Sequence, residues 1–270
     1  MGIEELTTME KIRALVRRQV GWDTRLYRSF AFLVNWGSVA VKESLWTLFE
    51  LLRLSSPNKL SVIKPVSFRK LLVPFYLRAG TKDVSVAINN FVREEYAAIK
   101  LVQNPKIMVD AGAYVGDTAA YFLSEYPNLT CFAYEPMTES YDVAAINLSP
   151  YGHRAHLFRK AVAGTDGIVK VAGTQTGAFI SDSDGEEIEA ISIESIIKSL
   201  PEPQIDILKL DVEGSEVDIF RTNAEFWLPR TKGIIVETHS EEGTRIVLEI
   251  LRQHAWTAER VRNLYFCAPS

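Results

Sequence analysis

Cysteine is scarce in this chain, with only Cys131 and Cys267 among 270 residues. Both fall in apolar runs that read as strands, so buried free thiols in a reducing compartment are expected rather than a disulfide framework or a thiolate metal site. Basic excess is lacking too. Thirty Lys and Arg stand against 34 Asp and Glu, for a net charge of -4, which excludes the broad basic face that nucleic-acid phosphates require. The opening residues Met1 to Leu6 carry two acids and no apolar run, the pattern of a chain without a secretory leader. Leu6 stands where a myristoylation signal has Ser or Thr. A cytoplasmic location is therefore expected, and the tripeptides at Asn128 and Asn147 match the glycosylation pattern by chance.

A long uninterrupted apolar run is also missing. The stretch from Phe30 to Leu52 comes nearest, but Asn35, Lys42, Glu43 and Glu50 interrupt it, so it reads as helices with a wide apolar face. Residues 1–56 form an expected N-terminal helical extension holding Trp22, Trp36 and Trp46 of the five tryptophans. Lys11, Arg13, Arg17, Arg18, Arg25 and Arg28 make a basic stretch there, interleaved with Trp22 and Tyr27. Two uses fit it: weak contact with an anionic membrane surface, or packing as a helical cap or oligomer contact with the arginines solvated.

What is present in quantity is apolar sequence, 47% of the chain, enough for one large α/β domain with an appendage. The boundary signal S-S-P-N around Pro57 separates the extension from a connecting segment, 57–105, with strand-like patches and a helix from about Ser85 through Tyr96. From residue 106 to 270 strands and helices alternate. Strands are expected at 107–110, 130–135, 156–162, 205–211, 233–238 and 264–267, and helices at 116–125, 138–148, 192–199, 215–226 and 242–254. That alternation predicts a doubly wound, mostly parallel sheet with its site at the carboxyl ends of the strands. The G-T-D-G at 164–167 reads as a hairpin turn and 173–189 as an exposed loop.

The stretch V-D-A-G-A-Y-V-G-D-T, 109–118, has the look of a nucleotide loop but lacks the glycine that lets backbone touch a pyrophosphate. Tyr114 stands in its place, so a phosphate-bearing dinucleotide fits poorly. S-adenosylmethionine has adenosine without phosphate, together with a sulfonium and an amino-acid tail. Asp110 at the end of the first strand suits the polar tail, and Glu135 at the end of the second suits the two ribose hydroxyls. Either acid, like Gly112 and Gly116, serves a turn or cap equally well when taken alone.

At this point the sequence resembles the FkbM family of S-adenosylmethionine-dependent methyltransferases, from about Phe75 to the end. The matching stretches are Y-L-R-A-G-T-K-D with E-E-Y (76–96), V-D-A-G-A-Y-V-G-D-T, Y-E-P (134–136), I-D-I-L-K-L-D-V-E-G-S-E (205–216) and V-E-T-H (236–239). The resemblance implies a seven-stranded Rossmann-like methyltransferase sheet and methyl transfer to a hydroxyl of a sugar, lipid-linked glycan or polyketide. Candidate cofactor-binding residues are Asp110, Gly112, Ala113, Tyr114, Gly116, Glu135, Pro136, Ala161 and Asp211.

An alcohol is a weak nucleophile at pH 7, so a base or a metal ion would help it. The carboxyl ends of the fourth and fifth strands supply Asp211, Glu213, Glu237 and His239. Asp211 and Glu213 are read as acceptor-side acids and His239 as the general base. A divalent ion on Asp211, Glu237 and His239 is another use of the cluster, although the spacing does not diagnose one. Glu213 and Ser215 also suit a helix start, with S-E-V-D as a capping box, and Asp211 suits a loop tie. Tyr114 could face the sulfonium or pack on the sheet edge, and Arg78 with Asp83 could lid the cofactor or fix the appended segment. Lys209, in a central strand, requires an acidic partner. Two further readings remain: an NAD-dependent sugar oxidoreductase or epimerase, disfavoured by Tyr114, Asp110 and the absence of a Tyr-x-x-x-Lys pair, and a non-catalytic scaffold, disfavoured by acids at successive strand ends.

Overall fold

The computed structural model describes residues 36–55, 62–96, 102–174, 177, 179–181 and 184–270. The basic stretch and Trp22 lie outside the described residues. Residues 36–42 are helical, and Ser44 caps a second helix, α1 (Leu45–Leu54), by accepting from the Thr47 N–H. α1 buries Thr47, Leu51 and Leu54 but turns Leu45, Trp46, Phe49 and Leu52 to solvent. No helix among the described residues is long and apolar enough to cross a membrane.

A two-stranded ribbon follows, β1 (Ile63–Val66) against β2 (Phe75–Arg78), then α2 (Asp83–Ala87) continuing as a π-helical turn through Val92. The helix therefore stops before Glu94 and Tyr96, shorter than the sequence pattern suggests.

The main domain runs β3 (Ile107–Ala111), α3 (Asp117–Glu125), β4 (Thr130–Tyr134), α4 (Thr138–Leu148), β5 (Ala155–Phe158), β6 (Ala161–Ala163), β7 (Gly167–Ala172), β8 (Phe179–Ser181), β9 (Glu186–Ser192), α5 (Ile193–Ser199), β10 (Ile205–Leu210), α6 (Glu216–Arg221), α7 (Ala224–Trp227), β11 (Thr231–Glu237), α8 (Glu241–Gln253), β12 (Trp256–Val261) and β13 (Leu264–Pro269). Seven strands form one sheet in the order β12-β13-β11-β10-β3-β4-β5, parallel except where β13 runs against its neighbours β11 and β12. The chain starts at β3, fills one half to β5, and returns to β10 on the other side of β3. That reversal opens a crevice at the carboxyl ends of β3 and β10.

Strand parity divides the core into two layers. Met108, Cys131, Ala133, Ile207 and Ile235 pack toward α3, whereas Val109, Phe132, Leu208, Leu210, Ile234 and Trp227 fill the face under α5 to α8. β3 and β10 are buried along their whole length, as central parallel strands covered on both faces must be.

Four expectations are corrected. The run 156–162 is two strands, because Arg159 and Lys160 interrupt it and β6 joins a separate sheet of order β6-β9-β7-β8. The turn at 164–167 closes no hairpin, since β9 lies between β6 and β7. The supposed loop 173–189 contains β8 and the start of β9; alternation of Ile188 and Ala190 inward with Glu187 and Glu189 outward was hidden by the acidic composition. Helix 215–226 divides at Asn223, whose φ is +49°. β12 went unread because only Trp256 of it is buried, and its charged residues suit a sheet edge.

Candidate active site

The turn after β3 is shaped by the neighbouring strand ends. The Tyr134 carbonyl accepts from both Gly112 and Ala113 N–H, at 3.0 and 2.9 Å. Gly112 has φ +79°, and a Cβ there would stand 1.9 Å from the Asp211 carbonyl oxygen. The glycine is thus required by the close approach of β10, a contact invisible in the sequence. Gly116 begins α3 with φ +80° and faces the Leu148 side chain, away from the crevice. Ala113 is likewise buried beneath it.

Asp110 does not reach the crevice either. It is 0% exposed, sits opposite Lys209 in the strand register, and meets the Lys209 Nζ at 3.4 Å. Burial pushes its carboxyl above the ordinary value, opposed by Lys209. Lys209 also lies 3.6 Å from Asp211 and donates to the Gly112 carbonyl at 2.6 Å. Burial alone would lower the lysine, but Asp110 and then Asp211 outweigh it and hold it protonated. The partner that the sequence demanded for Lys209 is therefore Asp110, with Asp211 beyond it.

Tyr114, at φ +50°, donates its N–H to Glu135 Oε2 at 2.8 Å and its hydroxyl to Asp83 Oδ1 at 2.5 Å. Asp83 in turn takes a two-pronged contact from Arg78, at 2.9 Å for each prong, and the guanidinium lies 5.3 Å from the Tyr114 ring centre. The pair Arg78 and Asp83 thereby clamps the ribbon and α2 onto the glycine turn. Glu135 also accepts from Met137 N–H at 2.9 Å. It is 5% exposed, and burial pushes its carboxyl up to about 7 against the two backbone donors. Each oxygen retains a further lone pair for a hydroxyl.

A cleft opens here. Of the residues expected to bind a cofactor, Gly112, Tyr114, Glu135, Pro136, Ala161 and Asp211 line it, and Asp110, Ala113 and Gly116 do not. Glu213 lines it as well. The sequence missed Val162, Val171, Phe179 and Ile180, which form an apolar wall from the smaller sheet, as well as Val212 and Ser215. Phe179 falls in the expected loop 173–189, and Val171 lies in the stretch 168–172, to which no element is assigned from sequence.

Beside the cleft the ends of β10 and β11 converge on a cluster that reaches it through Asp211 and Glu213, while Glu237 and His239 are not among its lining residues. His239 Nε2 lies 3.5 Å from Asp211 and 3.4 Å from Glu213, and Nδ1 lies 3.1 Å from Glu216. The contact with Glu216, reinforced by the other two acids, raises the ring to about 9. At neutral pH His239 is an imidazolium, so the resting ring already carries the proton that a general base would have to accept. Glu237 ends β11; burial and then the Asp211 charge push it up to about 7. The side chains gathered within 4.8 Å are Asp211, Glu213 and His239, with Glu213 in the place expected of Glu237. Without an ion the trio is held together as an ion-pair cluster; a divalent ion there would have to displace the ring proton. Ser215 makes no side-chain cap and S-E-V-D forms no capping box: Glu216 instead takes the Val212 and Gly214 N–H groups, and Asp218 takes that of Gly164.

The methyltransferase FkbM domain matches residues 110–261. The chain belongs to that family. The match begins at Asp110 and ends at the last residue of β12, so this FkbM domain contains the whole cleft but leaves Arg78 and Asp83 outside it. Methyltransferase sdnD of Sordaria araneosa is 25% identical, over 58% of this chain and 74% of that protein. Among solved structures, precorrin-6y C5,15-methyltransferase of Geobacter metallireducens aligns at TM-score 0.42 and 13% identity over 66% of this chain and 86% of its own. Ribosomal protein L11 methylase of Lactobacillus delbrueckii aligns at 0.33 and 14%, over 64% and 72%. The strand order, rather than these distant likenesses, defines the fold of this FkbM methyltransferase.

Proposed function

We propose that this FkbM protein is an S-adenosylmethionine-dependent O-methyltransferase acting on a hydroxyl of a sugar, glycan-bearing lipid or polyketide-type acceptor. The observation that carries the reading is the polarity of the cleft, which has an apolar wall of Val162, Val171, Phe179 and Ile180 and carboxylates Glu135, Asp211 and Glu213 opposite it. An aromatic base suits the wall, ribose hydroxyls suit the free lone pairs of Glu135, and a cationic ligand suits the acids. A pyrophosphate would meet three carboxylates and no basic side chain among the described residues lining the cleft, which disfavours the NAD reading.

Bound there, S-adenosylmethionine supplies an electrophilic methyl group. The chain's own residues hold the acceptor and receive its proton. Because His239 is already protonated, that proton goes to a carboxylate: Asp211 and Glu213 flank the imidazolium, and Glu237, held near 7, has the affinity for a proton that work at neutral pH needs. The imidazolium offsets the charge of the acids around it.

α1 supports a reading of the acceptor's setting. Its exposed Leu45, Trp46, Phe49 and Leu52, preceded in sequence by the basic stretch 11–28, support contact with an anionic membrane surface on which an apolar or lipid-linked acceptor is presented.

Calorimetric titration with S-adenosylhomocysteine and, separately, with NAD tests the reading. Binding of the first alone is expected, with Glu135→Ala weakening it; binding of NAD alone would overturn it. Turnover of hydroxylated acceptors by the parent, slowed in Asp211→Asn, completes the test.

A further inference from the structure

Glu216 does not line the cleft, yet it is better connected than any acid that does. It is 2% exposed. Its carboxylate accepts from Val212 N–H at 3.2 Å, from Gly214 N–H at 3.1 Å, and meets His239 Nδ1 at 3.1 Å. The two backbone donors flank Glu213, which is held at φ +50°, so the same carboxylate that receives the histidine also shapes the turn presenting Asp211 and Glu213. His239 has no comparable tie on its other side: Nε2 makes only the longer contacts with Asp211 and Glu213. A ring anchored at Nδ1 can turn its second nitrogen in one direction only.

We propose that Glu216 is the positioning residue of this site, holding the His239 ring by Nδ1 so that Nε2 faces Asp211 and Glu213, and so setting where the two carboxylates meet the acceptor. Without the clamp the two acids, both partly open to water, would sit on a freer turn. Its consequence for turnover rests on the methyl-transfer reading; the clamp itself does not. The groups facing His239 are Asp211 and Glu213 from the β10–α6 turn, Glu216 from α6 and Glu237 from its own strand. Lys82, at the start of α2, faces Glu213, and Lys209 faces Asp211.

The isosteric variant Glu216→Gln removes the charge but keeps the shape. Imidazole NMR titration without cofactor or acceptor should show the parent His239 midpoint well above 6.5, and a fall of about a unit or more in Glu216→Gln, a tenfold change in proton affinity. Turnover should fall about tenfold or more, with its alkaline limb moved to lower pH, while S-adenosylhomocysteine affinity stays within about threefold. A residue that only capped α6 would lower stability and leave both the midpoint and the pH profile in place. An unmoved midpoint in a folded variant, or parent-like turnover, overturns the proposal. Should Glu216→Gln fail to fold, the parent alone decides: an Nδ1–H that exchanges as fast as a free imidazole refutes the clamp, and an Nδ1–H slow to exchange supports it. Failure of the parent to bind S-adenosylhomocysteine would sink the methyl-transfer reading and leave the titration result standing.

Discussion

Gly112→Ala tests how closely the ends of β3 and β10 must approach. The new Cβ would stand 1.9 Å from the Asp211 carbonyl oxygen and 2.9 Å from its carbon, at a φ of +79°. Gly116→Ala is the reference, since its φ is +80° but its Cβ would meet only side-chain atoms of Leu148, at 3.0 to 3.3 Å. The left-handed backbone costs either alanine about 1–2 kcal/mol, and that cost cancels between them. What remains at Gly112 is a collision with backbone, which must push the Asp211 peptide outward and stretch its 3.1 Å hydrogen bond to the Ala111 carbonyl. Overpacking and a weakened hydrogen bond add about 1–3 kcal/mol. Urea unfolding followed by circular dichroism should therefore show a loss of about 1–2 kcal/mol for Gly116→Ala and about 2–5 kcal/mol for Gly112→Ala. Because the displaced peptide carries Asp211 into the cleft, only Gly112→Ala should weaken S-adenosylhomocysteine binding, by about tenfold. Equal destabilisation of the two variants, or unchanged affinity in folded Gly112→Ala, would refute the reasoning.

Lys209→Met should cost about 3–5 kcal/mol, because it strands the buried Asp110 carboxylate, and adding Asp110→Asn should recover part of that loss; additive losses in the urea midpoints of single and double variants would argue against the pairing. Stability should fall as pH rises from about 6 to 9.5. Asp117, Glu135 and Glu237 are each raised to about 7 by burial and His239 to about 9 by Glu216, so the folded state holds more protons than the unfolded chain, and the stabilisation present below the unfolded values is lost as pH passes the folded ones. For His239, whose side chain is 26% exposed, the loss is on the order of 2 kcal/mol after allowance for screening; a melting temperature that rises over this interval would contradict these assignments. Vesicles containing phosphatidylserine should bind the full chain more than neutral vesicles do, and Trp46→Ser with Phe49→Ser should weaken the association in flotation; equal binding by parent and variant would remove the membrane proposal.

Several parts of the molecule are legible in sequence because they rest on local chemistry. The largely apolar strands β3 and β10, the acids at their ends, and the helices α3, α4 and α8 follow from runs and periods that read the same in any context. The edge strand β12 and the acidic β9 were obscured because a half-exposed strand carries charge on alternate residues, and composition then resembles a loop. The candidate site divides in the same way. Glu135, Asp211, Glu213 and His239 stand at strand ends in the sequence itself, and the motif order that marks the FkbM family needs no coordinates.

Only the tertiary structure decided what each of these residues touches. The chain's return past β3 brings Asp211 against Gly112, 99 residues away, and makes a glycine that looks suited to a ligand a necessity of packing. The same register removes Asp110 from the cleft and gives it to Lys209. Three acids converging on His239 turn an expected base into a cation, and the smaller sheet supplies an apolar wall that no motif announced. Proton affinity and access depend on neighbours a few ångströms away and on burial; sequence specifies these only once the sheet has brought distant segments together.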